Sequence, residues 1–252
     1  MSSPIRLMAH MVAGYPDRVI SDGVAQALVE GGAAYLEIQL PFSDPSADGK
    51  AIQTACAKVL ADGFTITEGI AQIRAISHRY PDIPVFVMTY ANLAYKRGID
   101  EFVGDMANSG VSGLIIPDLP FDCDEGLDYS CRLHGLCSVP VAAPSMSDQR
   151  KKQLRDLNRP YVYAALRSGI TGSRTEIDEH TISFLSEISG SSKVLGGFGI
   201  RTGEQAEQLD PYVHAVVAGS VFVELIAANQ QDGIQVIQTA VRKKAEELTT
   251  TL

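Results

Sequence analysis

The stretch Val194-Leu-Gly-Gly-Phe-Gly-Ile-Arg-Thr-Gly203, continued by Ala215-Val-Val-Ala-Gly-Ser-Val221, decides the fold. Two short apolar runs, 194–195 and 215–218, each break at glycine. The first gives way to a helical pattern at 205–209, the second to an apolar helix directly after Gly219 and Ser220. Strand, glycine-rich turn, helix, twice in succession, is the rhythm of parallel βα units. Working back toward the N-terminus, six more apolar runs appear at 7–13, 35–40, 85–89, 113–116, 139–142 and 161–165. Amphipathic stretches lie between them at 20–30, 52–60, 67–78, 99–109, 150–157 and 177–188, with a last one at 234–248. Eight strands alternating with helices over 252 residues predict an α/β fold, one (β/α)₈ TIM barrel domain over residues 1–252. An open doubly wound sheet shares that count. The closing run 249–252 reads as a polar tail that frays.

Composition sets the outer bounds. With 45% hydrophobic and 20% charged residues, the chain has material for a large core and is not a disordered polymer. A net charge of −9 speaks against a nucleic-acid partner, which needs clustered cations. The densest basic run, Gln149-Arg150-Lys151-Lys152, reads as a solvated helix face or a local anion site. The four cysteines, Cys56, Cys123, Cys131 and Cys137, form no CxxC pair, so reduced thiols and a cytoplasmic location are expected. The five histidines show no metal-ligand spacing; His10, on the first strand, is placed to reach the barrel mouth. No apolar run reaches the length of a membrane span, so no membrane association is expected.

A barrel of this kind carries its site where the strands end. On the second strand, Glu37 interrupts an apolar run, and alternation puts it with Gln39 toward the barrel interior. A buried carboxylate suits acid–base chemistry; it also suits a structural role bonded to loop amides. The next loop, Pro41-Phe-Ser-Asp-Pro-Ser-Ala-Asp-Gly49, holds Asp44 and Asp48, either of which could cap the following helix or supply a second catalytic group. Tyr163 shares a strand face with Tyr161 and Ala165 and either fills a packing layer or donates to substrate. Residues 169–172, Gly-Ile-Thr-Gly, suggest a lid with an anion nest. Gly197, Gly199, Gly219 and Ser220 stand at the seventh and eighth strand ends, where barrels recurrently bind phosphate.

Taken in order, Leu36-Glu-Ile-Gln-Leu-Pro-Phe-Ser-Asp-Pro-Ser-Ala-Asp-Gly49, Tyr90-Ala-Asn-Leu93, Pro117-Asp-Leu-Pro120, Gly169-Ile-Thr-Gly172, Gly197-Phe-Gly-Ile200 and Ala218-Gly-Ser220 closely resemble the tryptophan synthase alpha subunit family, over nearly the whole chain. The resemblance implies a carbon–carbon lyase that cleaves indole-3-glycerol phosphate to indole and glyceraldehyde 3-phosphate without a cofactor of its own or a metal. It implies Glu37 as the proton-transferring glutamate, Asp48 as the aspartate that holds the indole N–H, and Tyr163 beside the glycerol. Phosphate would fall to Gly172, Gly199, Gly219 and Ser220, with Gly197 and Phe198 adjacent, and Thr171 would organise Asp48 on closure. Met88, Asn92 and Asp118 would line the pocket or face a partner. That partner is a beta subunit carrying pyridoxal phosphate, in an α₂β₂ assembly that receives the indole for tryptophan biosynthesis.

The chain departs from the family pattern at several points. By the resemblance, its N-terminal region is expected to be shortened, and His10 stands where relatives carry an aromatic residue, Gln39 where they carry a glycine, Lys50 a proline and Leu166 a small hydroxyl residue. Two other readings follow: a scaffold or activator of a beta subunit with weak or no activity, and a different phosphate-binding barrel enzyme.

Overall fold

A computed structural model describes residues 4–166, 177–197 and 199–250. Its strands are β1 (Leu7–Val12), β2 (Tyr35–Gln39), β3 (Val85–Met88), β4 (Gly113–Ile115), β5 (Cys137–Val139), β6 (Val141–Ala142), β7 (Tyr161–Ala165), β8 (Lys193–Gly197) and β9 (Ala215–Ala218). They form one parallel sheet in the order β5-β4-β3-β2-β1-β9-β8-β7-β6. Its two ends, β5 and β6, are separated only by Pro140. Proline has no N–H for the ladder, so the fifth stave breaks there. Its first half pairs with β4 and its second with β7, and the Tyr163 N–H donates to the Pro140 carbonyl at 2.9 Å. Counted as one stave, β5–β6 closes a ring of eight, and the TIM barrel stands while the open doubly wound sheet falls.

The surrounding helices are α1 (Arg18–Glu30), α2 (Lys50–Ala61), α3 (Ile66–Arg79), α4 (Ala91–Arg97), α5 (Ile99–Asn108), α6 (Leu127–Leu133), α7 (Asp148–Asp156), α8 (Glu179–Ser189), α9 (Gly203–Leu209), α10 (Ser220–Ala228) and α11 (Ile234–Thr249). Their starts follow side-chain chemistry. Asp17, Ser147 and Asp178 cap α1, α7 and α8, and Thr65 with Glu68 forms a reciprocal box at α3.

Alternation along the strands divides the apolar residues into two cores. Leu36, Ile38 and Leu40 face outward and pack under the helices with Ile73, Phe102, Phe222 and Val241. Met8, Phe86, Met88, Ile115, Val139, Tyr163, Leu195, Ala215 and Val217 fill the barrel interior as a separate cluster. Burial of each such side chain stabilises the fold by about 1.5–3 kcal/mol. Tyr35, Phe86, Tyr161 and His214 close the lower end, edge to face, with the Tyr35 hydroxyl 2.8 Å from His214 Nε2.

Thr249 and Thr250 do not fray as the polar run suggested. Thr249 belongs to α11, and its carbonyl accepts the Ile5 N–H at 3.1 Å; Oγ1 of Thr250 donates to the Glu246 carbonyl at 2.7 Å. The basic run at 149–152 is partly matched by acids. Arg150 makes a two-pronged pair with Asp122 and stacks over Phe121, and Lys151 binds Asp148 and Glu187, so two of its three cations are held by neighbouring carboxylates.

Candidate active site

The register of β1 on β2 sets His10 directly opposite Glu37. Aligned residues of a parallel pair share a face, so both side chains enter the barrel. His10 Nδ1 lies 3.0 Å from Glu37 Oε2, with the two side chains 3% and 1% exposed. Among the described residues no loop amide reaches Glu37, and its Oε1 has no protein partner.

Asp48 does not cap α2. Gly49 holds the cap position without a side-chain bond, and the Asp48 carboxylate turns inward. The Tyr90 hydroxyl and the Gln39 amide both donate to its Oδ2, each at 2.7 Å. Tyr90 is fixed in turn by stacking on Phe42 and by accepting the Ala47 N–H. Among the described residues no hydrogen bond engages Oδ1 of Asp48. Burial pushes this carboxyl up from 3.8, against the pull of His10 and of the bonds from Tyr90 and Gln39. The upward direction follows from its removal from water. Burial, reinforced by Glu37 and Asp48, raises the Tyr163 hydroxyl well above 10.0, so it stays a neutral donor. Asp44 is exposed, and among the described residues its carboxylate accepts only the Ser43 hydroxyl next to it.

A cavity of about 350 Å³ opens at the C-terminal ends of the strands. Its wall brings together Glu37, Asp48, Tyr163, Met88, Gly199, Gly219, Ser220 and His10. Gly219 precedes α10 without a side-chain cap, so the first N–H groups of that helix stay available. Gly197 lies at the end of β8 behind the wall. Asn92 is on the exposed side of α4, away from the cavity, and Asp118 accepts the Ala91 N–H at 2.9 Å at the start of that helix. Thr171, Gly172, Phe198 and the 169–172 run lie outside the described residues.

Sequence reasoning missed the two holders of Asp48. Gln39 was visible only as an inward polar residue, and Tyr90 only as part of a motif. Among the described residues no group of three or more His, Cys, Asp or Glu side chains could hold a metal ion, and no helix is long and apolar enough to cross a membrane. All four cysteines are free thiols; burial pushes Cys56 and Cys131 up to about 12.

Two buried acids and a tyrosine line one cavity at the upper end of a closed parallel barrel, so this is a (β/α)₈ protein with an acid-lined cavity at its mouth. The family model for the tryptophan synthase alpha chain matches residues 3–251. The alpha chain of Helicobacter hepaticus is 38% identical over 229 residues, covering 88% of this chain and 86% of that one. The alpha chain of Halobacterium salinarum is 35% identical over 251 residues, covering 96% and 90%. Among solved structures, the tryptophan synthase complex of Pyrococcus furiosus superposes with a TM-score of 0.85 at 30% identity, covering 98% of this chain and 99% of that one. Tryptophan synthase of Mycobacterium tuberculosis gives 0.86 at 29% identity, covering 98% and 94%. The chain belongs to the tryptophan synthase alpha chain family, a family of lyases.

Proposed function

We propose that the chain cleaves indole-3-glycerol phosphate to indole and glyceraldehyde 3-phosphate and hands the indole to a beta subunit. The observation that carries this reading is the pairing of Glu37 and Asp48 on one cavity wall. Each has one oxygen held by the protein and another left for a ligand. Indole is a poor carbon leaving group until its C3 gains a proton. Glu37 supplies that proton, and the ring becomes a cation. Asp48 Oδ1 receives the indole N–H and offsets the charge. Loss of the proton from the glycerol hydroxyl then forms the aldehyde, and the electrons of the breaking carbon–carbon bond return to the ring. One proton enters at carbon and one leaves from oxygen, so a single recycled proton balances the step.

Gly199, Gly219, Ser220 and the open start of α10 would receive the phosphate, as helix N-termini favour anions. The 169–172 run would act as the lid, with Thr171 organising Asp48 and Gly172 adding an N–H. Asn92, exposed on α4, fits a surface that meets the beta subunit, whose pyridoxal phosphate joins indole to serine within an α₂β₂ assembly. The chain itself would use neither metal nor cofactor.

The test is indole release by the purified chain, alone and with its beta subunit. Glu37→Gln and Asp48→Asn should each lower kcat by about 10²-fold or more, the scale of a lost proton-transfer or charge-stabilising group. Rates indifferent to both substitutions would sink the mechanism. Tight binding of a beta subunit with no release by either form would favour the scaffold instead.

A further inference from the structure

Three side chains hold the two acids: Gln39, Tyr90 and His10. Only an imidazole exchanges protons near neutral pH. His10 is fixed from below by its ladder position opposite Glu37. It is fixed from the side by Gly219, where a Cβ would stand 3.0 Å from His10 Cβ and 3.1 Å from the ring. Its Nε2 is buried without a partner among the described residues, as is Oε1 of Glu37, and both residues line the cavity. A side chain that only filled space here would be better apolar, because two unsatisfied polar atoms beside one hydrogen bond destabilise a packed interior.

We propose that His10 is the positioning residue for Glu37: its Nδ1 fixes Oε2, leaves Oε1 to the substrate, and the two side chains hold one proton in common. This rests on the acid–base reading of the same cavity. The exchange is balanced. Imidazolium with carboxylate becomes imidazole with carboxylic acid when the Nδ1 proton moves to Oε2, and the pair's charge stays zero. The proton then sits on Oε2; rotation of the protonated carboxyl carries this O–H from the imidazole to the cavity side, where C3 takes it, and the proton lost by the hydroxyl returns to the carboxylate and is shared again with the imidazole. The titratable groups around the imidazole are Glu37 from β2, Asp48 from the loop before α2, Tyr163 from β7 and, behind Asp48, Tyr90. β9 and α10 bring only uncharged Val217, Gly219 and Ser220 to the wall. Burial drives the imidazole toward its neutral form, Glu37 and then Asp48 oppose it, and the net direction is upward from 6.5.

Two variants and a titration test this. His10→Phe removes the donor; His10→Asn keeps an N–H near the Nδ1 position but cannot titrate. His10→Phe should lower kcat for indole release about tenfold or more with KM nearly unchanged. His10→Asn should restore most of kcat at its best pH, with the alkaline limb of its profile about one pH unit or more below that of the parent chain. A phenylalanine variant with unaltered kcat and pH profile would make His10 a packing residue and overturn the proposal. Nitrogen-15 NMR of the histidine rings needs no turnover. His10 should titrate about one unit or more lower in Glu37→Gln than in the parent, and identical titrations would also overturn it. If the parent chain releases no indole with its beta subunit, the lyase reading falls and the NMR pair still decides whether the proton is shared.

Discussion

The acids of this site do different things because different side chains hold them. Both bonds to Asp48 end on Oδ2, so an asparagine with its carbonyl oxygen there would keep them both. Asp48→Asn should therefore fold well. Because its carboxyl is raised, the native protein keeps a proton over the interval between the ordinary 3.8 and the folded value, where the unfolded chain has lost it. Stability is thus present below the ordinary 3.8 and is lost as pH rises through the folded value. Asp48→Asn should then be more stable than the parent in urea at pH 8, with the gap shrinking toward pH 4, while activity is lost. A variant less stable than the parent at pH 8 would show that ionised Asp48 holds the loop. Tyr90→Phe removes one of the two donors and strands the Ala47 N–H. A lost bond to a charged group is worth about 1.5–3 kcal/mol, so kcat should fall about tenfold or more. Steady-state assays with Gln39→Leu alongside would show whether the second donor carries a like share.

At the scale of elements, β7 and β9 were legible to the residue because each is a short continuous apolar run next to a proline or a glycine, Pro160 and Gly219. β8 was not: Gly196 and Gly197 read as a turn, yet they are the end of the strand. A Cβ on Gly196 would sit 2.6 Å from Val213 Cγ1, and one on Gly197 would sit 2.6 Å from Val217 Cβ. Glycine there answers to the neighbouring stave, which sequence spacing does not reveal. α4 and α6, seven residues each, show little of a 3.6-residue period and went unread, whereas α9, equally short, was placed by the strand and glycine-rich turn before it. Glu37 announced itself as a charge in an apolar strand; Gln39 and Tyr90 could be matched to Asp48 only once three chain segments met. The junction of β9 with α10 carries its own prediction. Gly219→Ala drives a methyl against the His10 ring at the start of the helix expected to receive phosphate. KM for the phosphorylated substrate should rise about tenfold, equivalent to about 1.4 kcal/mol, and inhibition by inorganic phosphate should weaken in parallel. An unchanged KM would place the phosphate elsewhere.

For the whole molecule, the charges sort into two groups that act on opposite sides of neutrality. Glu68, Asp100, Asp122, Asp148, Asp178, Glu187 and Glu224 all lie low, held by hydrogen bonds from capped backbone, hydroxyl or cationic partners. Each favours the native state above the ordinary carboxyl range and ceases to do so as pH falls through its folded value. His214, half-buried and lowered by desolvation and then by Arg6 and Lys193, adds a contribution of the same sign that is complete by 6.5. The buried site runs the other way. His10 is raised, so its contribution is full below 6.5 and is lost as pH rises through its folded value, and Asp48 has the same sign. A net charge of −9 adds self-repulsion on the alkaline side. Stability in urea should therefore climb from pH 3 to about 6 and decline from there toward pH 9. His10→Asn separates the causes: it should flatten the alkaline decline and leave the acid limb in place. An unchanged alkaline decline in that variant would assign the loss to overall charge, and the proton shared at the bottom of the cavity would then play no part in holding the barrel together.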